Sequence, residues 1–193
     1  IKESFSVWKV VPRSALWLFV IQTLLMFGMS IANVINAVYA RDVLGVPEEQ
    51  WWFVFIPLLL TMIVASIPIG KMVDTIGRKI PLNLGLLVFG LATLIFIAGN
   101  LLTIMVAMCL FAIGQLLVMS SVMALSTDLV TPENRGKVVG FRNFVGYIFA
   151  GLGMLLGNYL YIISPQLPFY VTLGLIIPEF FIALFLVYEL KLK

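Results

Sequence analysis

Three amide side chains lie on one predicted helical face of the first long apolar run. Gln22, Asn33 and Asn36 share that face with Met26 and Met29, at steps of four, three, four and three residues. This spacing is typical of one side of an α-helix. In hydrocarbon an unsatisfied amide is costly. The stripe therefore either hydrogen-bonds neighbouring helices or lines a wet cavity.

Two further polar positions lie inside later apolar runs. Gln115 is in the fourth run, with Met119 one turn further on, and Glu179 follows Pro178 in the sixth. An intramembrane carboxylate is costly and marks a candidate functional site. Glu179 is predicted either as a proton site, with Gln115 as candidate partner, or as a hydrogen-bonded or protonated acid with a structural role.

Enzymatic and metal chemistry has no candidate residues in this sequence. There is no histidine and a single cysteine, Cys109. Ser–His and zinc-dependent hydrolysis and Cys/His metal sites are therefore excluded, and no glycine-rich phosphate loop appears. We expect no enzyme activity, no metal, no cofactor and no nucleic-acid partner.

The elements that position these residues must be membrane helices. The chain is 62% hydrophobic and 11% charged, whereas soluble domains are about 25% charged. A spanning helix needs about 20 apolar residues. Six runs qualify, at about 14–40, 51–69, 80–98, 101–125, 138–161 and 168–188, and we number them spans 1 to 6. The sequence predicts an all-α membrane protein with six transmembrane helices, forming one domain over 1–193 in the lipid bilayer.

The basic residues indicate the orientation in the membrane. Of the twelve, Arg41 alone lies on one predicted side, and the other eleven lie on the opposite side: Lys2, Lys9, Arg13, Lys71, Arg78, Lys79, Arg135, Lys137, Arg142, Lys191 and Lys193. The positive-inside rule then predicts a multi-pass protein of the cell membrane with both termini cytoplasmic. Residues 1–13 are predicted as an interfacial segment, either a short helix or an extended tail with an aromatic anchor.

The connection between spans 2 and 3 reads Gly-x-x-x-Asp-x-x-Gly-Arg-Lys, from Gly70, Asp74, Gly77, Arg78 and Lys79. Gly70 suits two helices that leave the membrane close together, Asp74 can cap a helix N-terminus, and Gly77 permits a left-handed turn. The pattern resembles the signature of the major facilitator superfamily. That resemblance implies a gating loop that latches two transporter halves together. Without the resemblance, the loop need only fix the orientation of the chain in the membrane through its basic residues, with no gating role.

The connection between spans 4 and 5 carries the rest of the resemblance. Asp128 precedes Thr131, a predicted N-cap, and Pro132, the predicted first helical residue. Pro-Glu-x-Arg-Gly-x-x-x-Gly, which includes Arg135 and Gly136, is similar to the family's loop between helices ten and eleven. The resemblance is to the C-terminal half. It implies two inverted three-helix repeats, with spans 1, 2, 4 and 5 lining a pathway and spans 3 and 6 supporting them. It also adds Asp128, Arg135 and Gly136 to the gating loop.

Small residues form a stripe along span 5. Gly146, Ala150, Gly153 and Gly157 are spaced four, three and four residues apart. Small residues let helix backbones approach closely in lipid. The stripe either packs within this bundle or, by resemblance, faces a missing half.

These patterns together predict a secondary active transporter that moves a small molecule by alternating access. The chain would be its C-terminal half, with an N-terminal six-helix half as partner, because Ile1 suggests a cut inside a longer chain. The alternatives are a non-transporting scaffold or assembly protein and a half-sized protein that pairs with itself. The predicted substrate pathway comprises Gln22, Met26, Met29, Asn33, Asn36, Gln115 and Met119.

Overall fold

The computed structural model describes residues 12–188, and that part consists of helices and short connections without any strand. Six spans in it are long and apolar enough to cross a membrane. Span 1 comprises Arg13–Asn33 and Asn36–Asp42, and spans 2 to 6 are Glu48–Ile76, Lys79–Ile97, Leu101–Leu129, Pro132–Ile163 and Leu167–Phe185. The predicted all-α class is confirmed. The predicted interfacial segment falls almost wholly on residues outside the described range.

Three helices continue beyond the apolar runs that indicated them. Span 2 runs to Ile76 rather than residue 69, span 4 runs to Leu129 rather than 125, and span 5 begins at Pro132 rather than 138. Hydropathy detects only the part of a helix that matches the hydrocarbon layer, whereas polar turns at its ends continue the same hydrogen-bond ladder. Gly70, Asp74, Asp128, Arg135 and Gly136 therefore lie on helices and not in loops.

The short turn between spans 2 and 3 depends on Gly77, whose φ of 97° is in the region that favours glycine. The predicted role of Gly70 is wrong within the described chain, since a Cβ there would meet no atom within 4 Å. Asp74 lies exposed in the last turn of span 2, so it caps no N-terminus among the described helices.

Two helix starts have the residues that such positions favour. Asn100 and Thr103 form a capping box at span 4, with the Thr103 N–H donating to Asn100 Oδ1 at 3.1 Å. Pro132 occupies the first turn of span 5 as predicted. Thr131 precedes it but makes no side-chain cap, because its hydroxyl accepts a bond from Asn134 Nδ2 at 3.1 Å.

Span 1 is interrupted at Val34 and Ile35, where the sequence predicts a continuous helix. Beyond the break, Tyr39 is fully buried and its hydroxyl donates to the carbonyl oxygen of Ile97 at 2.8 Å. This bond holds the short second part of span 1 against the end of span 3.

Contacts between the spans follow a two-fold pattern. Span 1 packs on span 5 and span 4 packs on span 2, while span 4 also packs along span 3 and span 1 along span 6. Exchanging spans 1, 2 and 3 with spans 4, 5 and 6 maps each of these contacts onto another. This is the arrangement expected of two inverted three-helix repeats.

The apolar residues divide between a shared interior and an outward surface. Ile21, Leu86 and Val118 belong to a core formed by spans 1, 3, 4 and 6. On span 2, by contrast, Ile63 and Val64 are 70% and 73% exposed. Outward apolar surface of this extent suits lipid or another protein and not water.

The small-residue stripe of span 5 packs against span 1 within this chain. Gly146, Gly153 and Gly157 are all buried there. A Cβ on Gly153 would lie 2.5 Å from the carbonyl oxygen of Phe27, and one on Gly157 would overlap the backbone of Ile31. The two helices therefore approach as closely as their backbones allow.

Gly157→Ala should destabilise the protein, whereas Gly151→Ala, whose Cβ would meet no atom within 4 Å, should not. Alanine favours a helix over glycine by about 1 kcal/mol, but overpacking at Gly157 costs about 1–3 kcal/mol. The measurement is thermal unfolding of the purified protein in detergent, with a fall of several degrees expected for Gly157→Ala alone. Equal melting temperatures for the two variants would contradict the close contact of spans 1 and 5.

Candidate functional site

A cavity of about 350 Å³ opens near the break in span 1. Its polar side chains include three amides, and we call it the amide cavity. It is lined by Met29, Ala32, Asn33, Asn36, Ala37, Trp51, Phe55, Leu58, Phe89, Thr93, Met108, Phe111, Gln115, Phe169 and Thr172. This size, and an apolar wall with a few polar groups, are typical of small-molecule sites.

Besides the indole N–H of Trp51, the amides are the side-chain groups whose donors are left available in this cavity. The Thr93 hydroxyl donates to Phe89 O at 2.9 Å, and that of Thr172 lies 2.9 Å from Gly28 O and from Pro168 O. These hydroxyl protons are thus committed to the backbone.

None of the three amides, Asn33, Asn36 and Gln115, makes a side-chain hydrogen bond to another residue within 12–188. Each amide offers two donors and an acceptor. Together they can orient a bound molecule in a mostly aromatic pocket.

A second cavity, of about 620 Å³, lies at the end of the bundle that carries Arg78, Arg135 and Lys137. We call this the basic end and the cavity the arginine cavity. Its lining is Gln22, Met119, Ser120, Val122, Met123, Ser126, Thr127, Val130, Arg135, Gly136, Val138, Val139, Arg142 and Asn143. Spans 1, 4 and 5 supply these residues.

Six of the seven predicted pathway residues line one cavity or the other. Met29, Asn33, Asn36 and Gln115 line the amide cavity, and Gln22 and Met119 line the arginine cavity. Met26 lines neither, because its sulfur packs where a Cβ on Gly146 would lie. The predicted stripe thus extends across both cavities, with a packed methionine between them.

Sequence reasoning missed several lining residues. The expectation that spans 3 and 6 only support the pathway is wrong for the amide cavity, which they line with Phe89, Thr93, Phe169 and Thr172. Span 2 packs mainly on span 4, so it does not cover spans 3 and 6 at the amide cavity. Arg142 was also missed as a site residue, although a cation inside an apolar run, here near its beginning, is itself a signal.

Arg78 and Asp128, two of the predicted gating residues, form an ion pair. Arg78 Nη2 lies 3.4 Å from Asp128 Oδ2, and their side chains are 11% and 33% exposed. The turn at Gly77 places Arg78 at the start of span 3, beside the last turn of span 4. The pair therefore joins the ends of two helices at the basic end.

The other predicted gating residues do not join this pair. Arg135 donates to Thr127 O at 2.7 Å and to Val130 O at 3.2 Å, which ties spans 4 and 5 together. The Lys79 ammonium lies 5.8 Å from the Tyr188 ring. Asp74 is exposed and makes no ion pair within 12–188. A Cβ on Gly136 would meet no atom within 4 Å.

Glu179 lies in the core and lines neither cavity. It is 1% exposed, and its Oε2 atom has no hydrogen-bond partner among residues 12–188. It shares a face of span 6 with Ile176 and Ala183, which belong to the apolar core. The predicted partner Gln115 makes no hydrogen bond with it, because Gln115 faces the amide cavity. An unpaired carboxylate in such a position is costly.

Sequence comparison decides the family, since the chain matches the Major Facilitator Superfamily over residues 18–192. The chain belongs to this superfamily. It is 24% identical over 172 residues to the quinolone resistance protein NorA of Staphylococcus aureus, covering 87% of the chain and 43% of that protein. It is 29% identical over 115 residues to multidrug resistance protein 1 of Bacillus subtilis, covering 58% of the chain and 29% of that protein.

Membership of the superfamily confirms the predicted resemblance and makes the chain a multi-pass membrane protein of the transporter type. The chain spans less than half the length of the curated relatives that it matches.

The Arg78–Asp128 pair of this superfamily member should contribute measurably to stability. We expect a double-mutant cycle with Arg78→Gln and Asp128→Asn to give a coupling energy on the order of 1 kcal/mol, kept modest by the partial exposure of Asp128. The measurement is thermal unfolding of the single and double variants. The control cycle replaces Asp128→Asn with Asp74→Asn and should give no coupling. A coupling as large with Asp74 would show that Arg78 does not depend on Asp128 specifically.

Proposed function

We propose that this chain is the C-terminal half of a secondary active transporter, which moves a small molecule by alternating access. The observation that carries the proposal is the amide cavity, where three amides without a side-chain partner in the described part of the chain share a pocket with aromatic side chains. A scaffold or assembly protein has no need of amides without partners in a membrane core, since each is costly unless a ligand or water satisfies it. No reaction is proposed, because neither cavity is lined by a nucleophile with a paired base.

The cavities suit a partner that closes them from one side. Met119 and Met123 line the arginine cavity yet are 59% and 73% exposed. A second six-helix half would cover this face and complete both cavities. The relatives' greater length supports such a partner.

Alternating access would then open the amide cavity and the arginine cavity in turn. The Arg78–Asp128 pair lies at the basic end, beside the arginine cavity, and is proposed as part of the gate. Asp74 is exposed on the same end and would meet the other half. Since cytoplasmic ends carry the excess of basic residues, we place the basic end and both termini in the cytoplasm and the protein in the cell membrane.

The proposed substrates are amphipathic organic molecules. The names of the relatives refer to quinolone and multidrug resistance. Aromatic side chains such as Trp51, Phe55 and Phe111 line the amide cavity and would stack on planar rings. Methionines in both cavities add an adaptable apolar surface.

Glu179 is proposed as a proton site that couples this transport to the proton gradient. Its burial in the core between the helices, with no partner for Oε2 among residues 12–188, supports the proposal. A carboxyl group in such a position is stable when neutral and would release its proton only when the helices around it rearrange. The rearrangement expected in alternating access would provide that opportunity.

Asn36→Leu should lower transport of a fluorescent amphipathic probe, such as a fluoroquinolone, by roughly fivefold, because one hydrogen bond contributes about 1 kcal/mol. The measurement is initial uptake into proteoliposomes that contain the native protein carrying this chain. The matched control is Asn158→Leu, an exposed amide on span 5 outside both cavities. Unchanged transport by Asn36→Leu, at equal protein amount, would remove the amide cavity from the pathway.

Glu179→Gln should abolish accumulation driven by a proton gradient while leaving exchange of labelled for unlabelled probe intact, because the amide fills the same volume without a transferable proton. The measurement compares both assays in the same proteoliposomes. Glu133→Gln, an exposed acid in the first turn of span 5, is the control and should leave both assays unchanged. Normal gradient-driven accumulation by Glu179→Gln would show that Glu179 has only a structural role.

A further inference from the structure

Arg142 is a buried cation that has no carboxylate partner in the part of the chain that the structure describes. It is 9% exposed, and within 12–188 no acid forms an ion pair with it. Its Nη1 atom donates to Ser126 Oγ at 2.8 Å, and its Nε atom is buried without a partner. A guanidinium has five N–H donors. Most of the donors of Arg142 are thus uncommitted within the described chain.

The cavity around Arg142 is positively charged. Among the described residues that line it, two are arginines and none is acidic. Arg135 is already bonded to two backbone carbonyls. Glu133, the nearest acid in sequence, is exposed and does not line the cavity. Asp128 pairs with Arg78 and lines a separate adjoining cleft. Arg142 is therefore the cation of this cavity whose donors remain available.

A buried guanidinium without a counter-charge is costly, and an anion that reaches it gains charge-assisted hydrogen bonds. Arginine prefers planar oxygen pairs, which it binds in a bidentate manner. Part of the cavity wall is apolar, with Met119, Val122, Val138 and Val139. A ligand that satisfies both parts of the wall has an anionic group at one end and an apolar body at the other.

We propose that the arginine cavity binds the carboxylate of an amphipathic organic anion, with Arg142 as the anion-binding residue. Ser126 holds the guanidinium in place, and the methionine and valine side chains take the apolar body. This inference rests on the proposed transport function and adds the substrate class to it: a carboxylate-bearing molecule instead of a neutral or cationic one.

The test compares a fluoroquinolone carboxylic acid with its ethyl ester, two probes that differ in the carboxylate alone. Binding is measured by fluorescence on the native protein carrying this chain, in phosphatidylcholine nanodiscs. We expect the acid to bind roughly tenfold more tightly than the ester, since hydrogen bonds to charged groups are the strong ones. Equal affinities in the wild-type protein would overturn the proposal, whatever the fate of any variant.

Variants then assign the preference to Arg142. Arg142→Gln should reduce the acid-to-ester affinity ratio to about one, and Arg142→Lys should restore part of it, because a point charge remains. The control is Lys137→Gln, an exposed cation on the same helix that does not line the cavity, and it should retain the full ratio. An unchanged acid-to-ester affinity ratio in Arg142→Gln would overturn the assignment. Arg142 would then pair with a carboxylate of another protein segment and not with the ligand.

Further measurements distinguish a lipid headgroup from a free ligand as the source of the anion. They also distinguish failure of the anion site from failure of the proposed transport function. An acid preference that disappears in nanodiscs with phosphatidylglycerol, measured in salt that screens the surface charge of the bilayer, would overturn the proposal, because the site would then belong to a lipid headgroup. In proteoliposomes, transport of both probes without an acid preference in binding would overturn this inference alone. An acid preference in binding without transport of either probe would contradict the transport function and support the anion site.

Discussion

Hydrocarbon offers no hydrogen-bond partners, so each polar group within the membrane must find one inside the protein or in a wet cavity. The hydroxyls of Thr93 and Thr172 meet this requirement through backbone carbonyls, and that of Tyr39 through the carbonyl of Ile97. The amides of the amide cavity and most donors of Arg142 do not meet it among the described residues. These groups make the two cavities candidate binding sites. A polar group that is costly to leave unpaired indicates that a ligand, or another segment that moves into contact, satisfies it.

The close contact of spans 1 and 5 determines where those groups lie. Glycines at 153 and 157 bring the two backbones together at one edge of the bundle, and spans 2 and 4 form the corresponding pair at the other edge. Spans 3 and 6 then close the bundle behind, and the face between the two pairs carries the cavities. The two-fold arrangement of the spans therefore generates the cavity-bearing face, and the break in span 1 lies between Asn33 and Asn36, which line the amide cavity.

The candidate site could be predicted in part from the sequence. The amides at 33, 36 and 115 were identified because their spacing and their cost in lipid are local properties. Arg142 was counted only as a marker of topology, because nothing in the linear sequence shows whether a cation near a helix end has an acidic neighbour. The same limit explains the wrong partner for Glu179: depth in the membrane can be estimated from residue counts, but the face that meets a neighbouring helix cannot.

The sequence by itself determined that lipid surrounds this chain, that six helices cross it and that one end is basic, because hydropathy and charge act residue by residue. It also determined the family, through glycines and charged residues at fixed spacing in short connections. Only the tertiary structure decided that the amide stripe extends over two cavities and that spans 3 and 6 line one of them. It also decided that Arg78 forms its ion pair with Asp128. Those outcomes depend on helix rotation and on contacts between residues far apart in the chain, which packing of all six spans sets together.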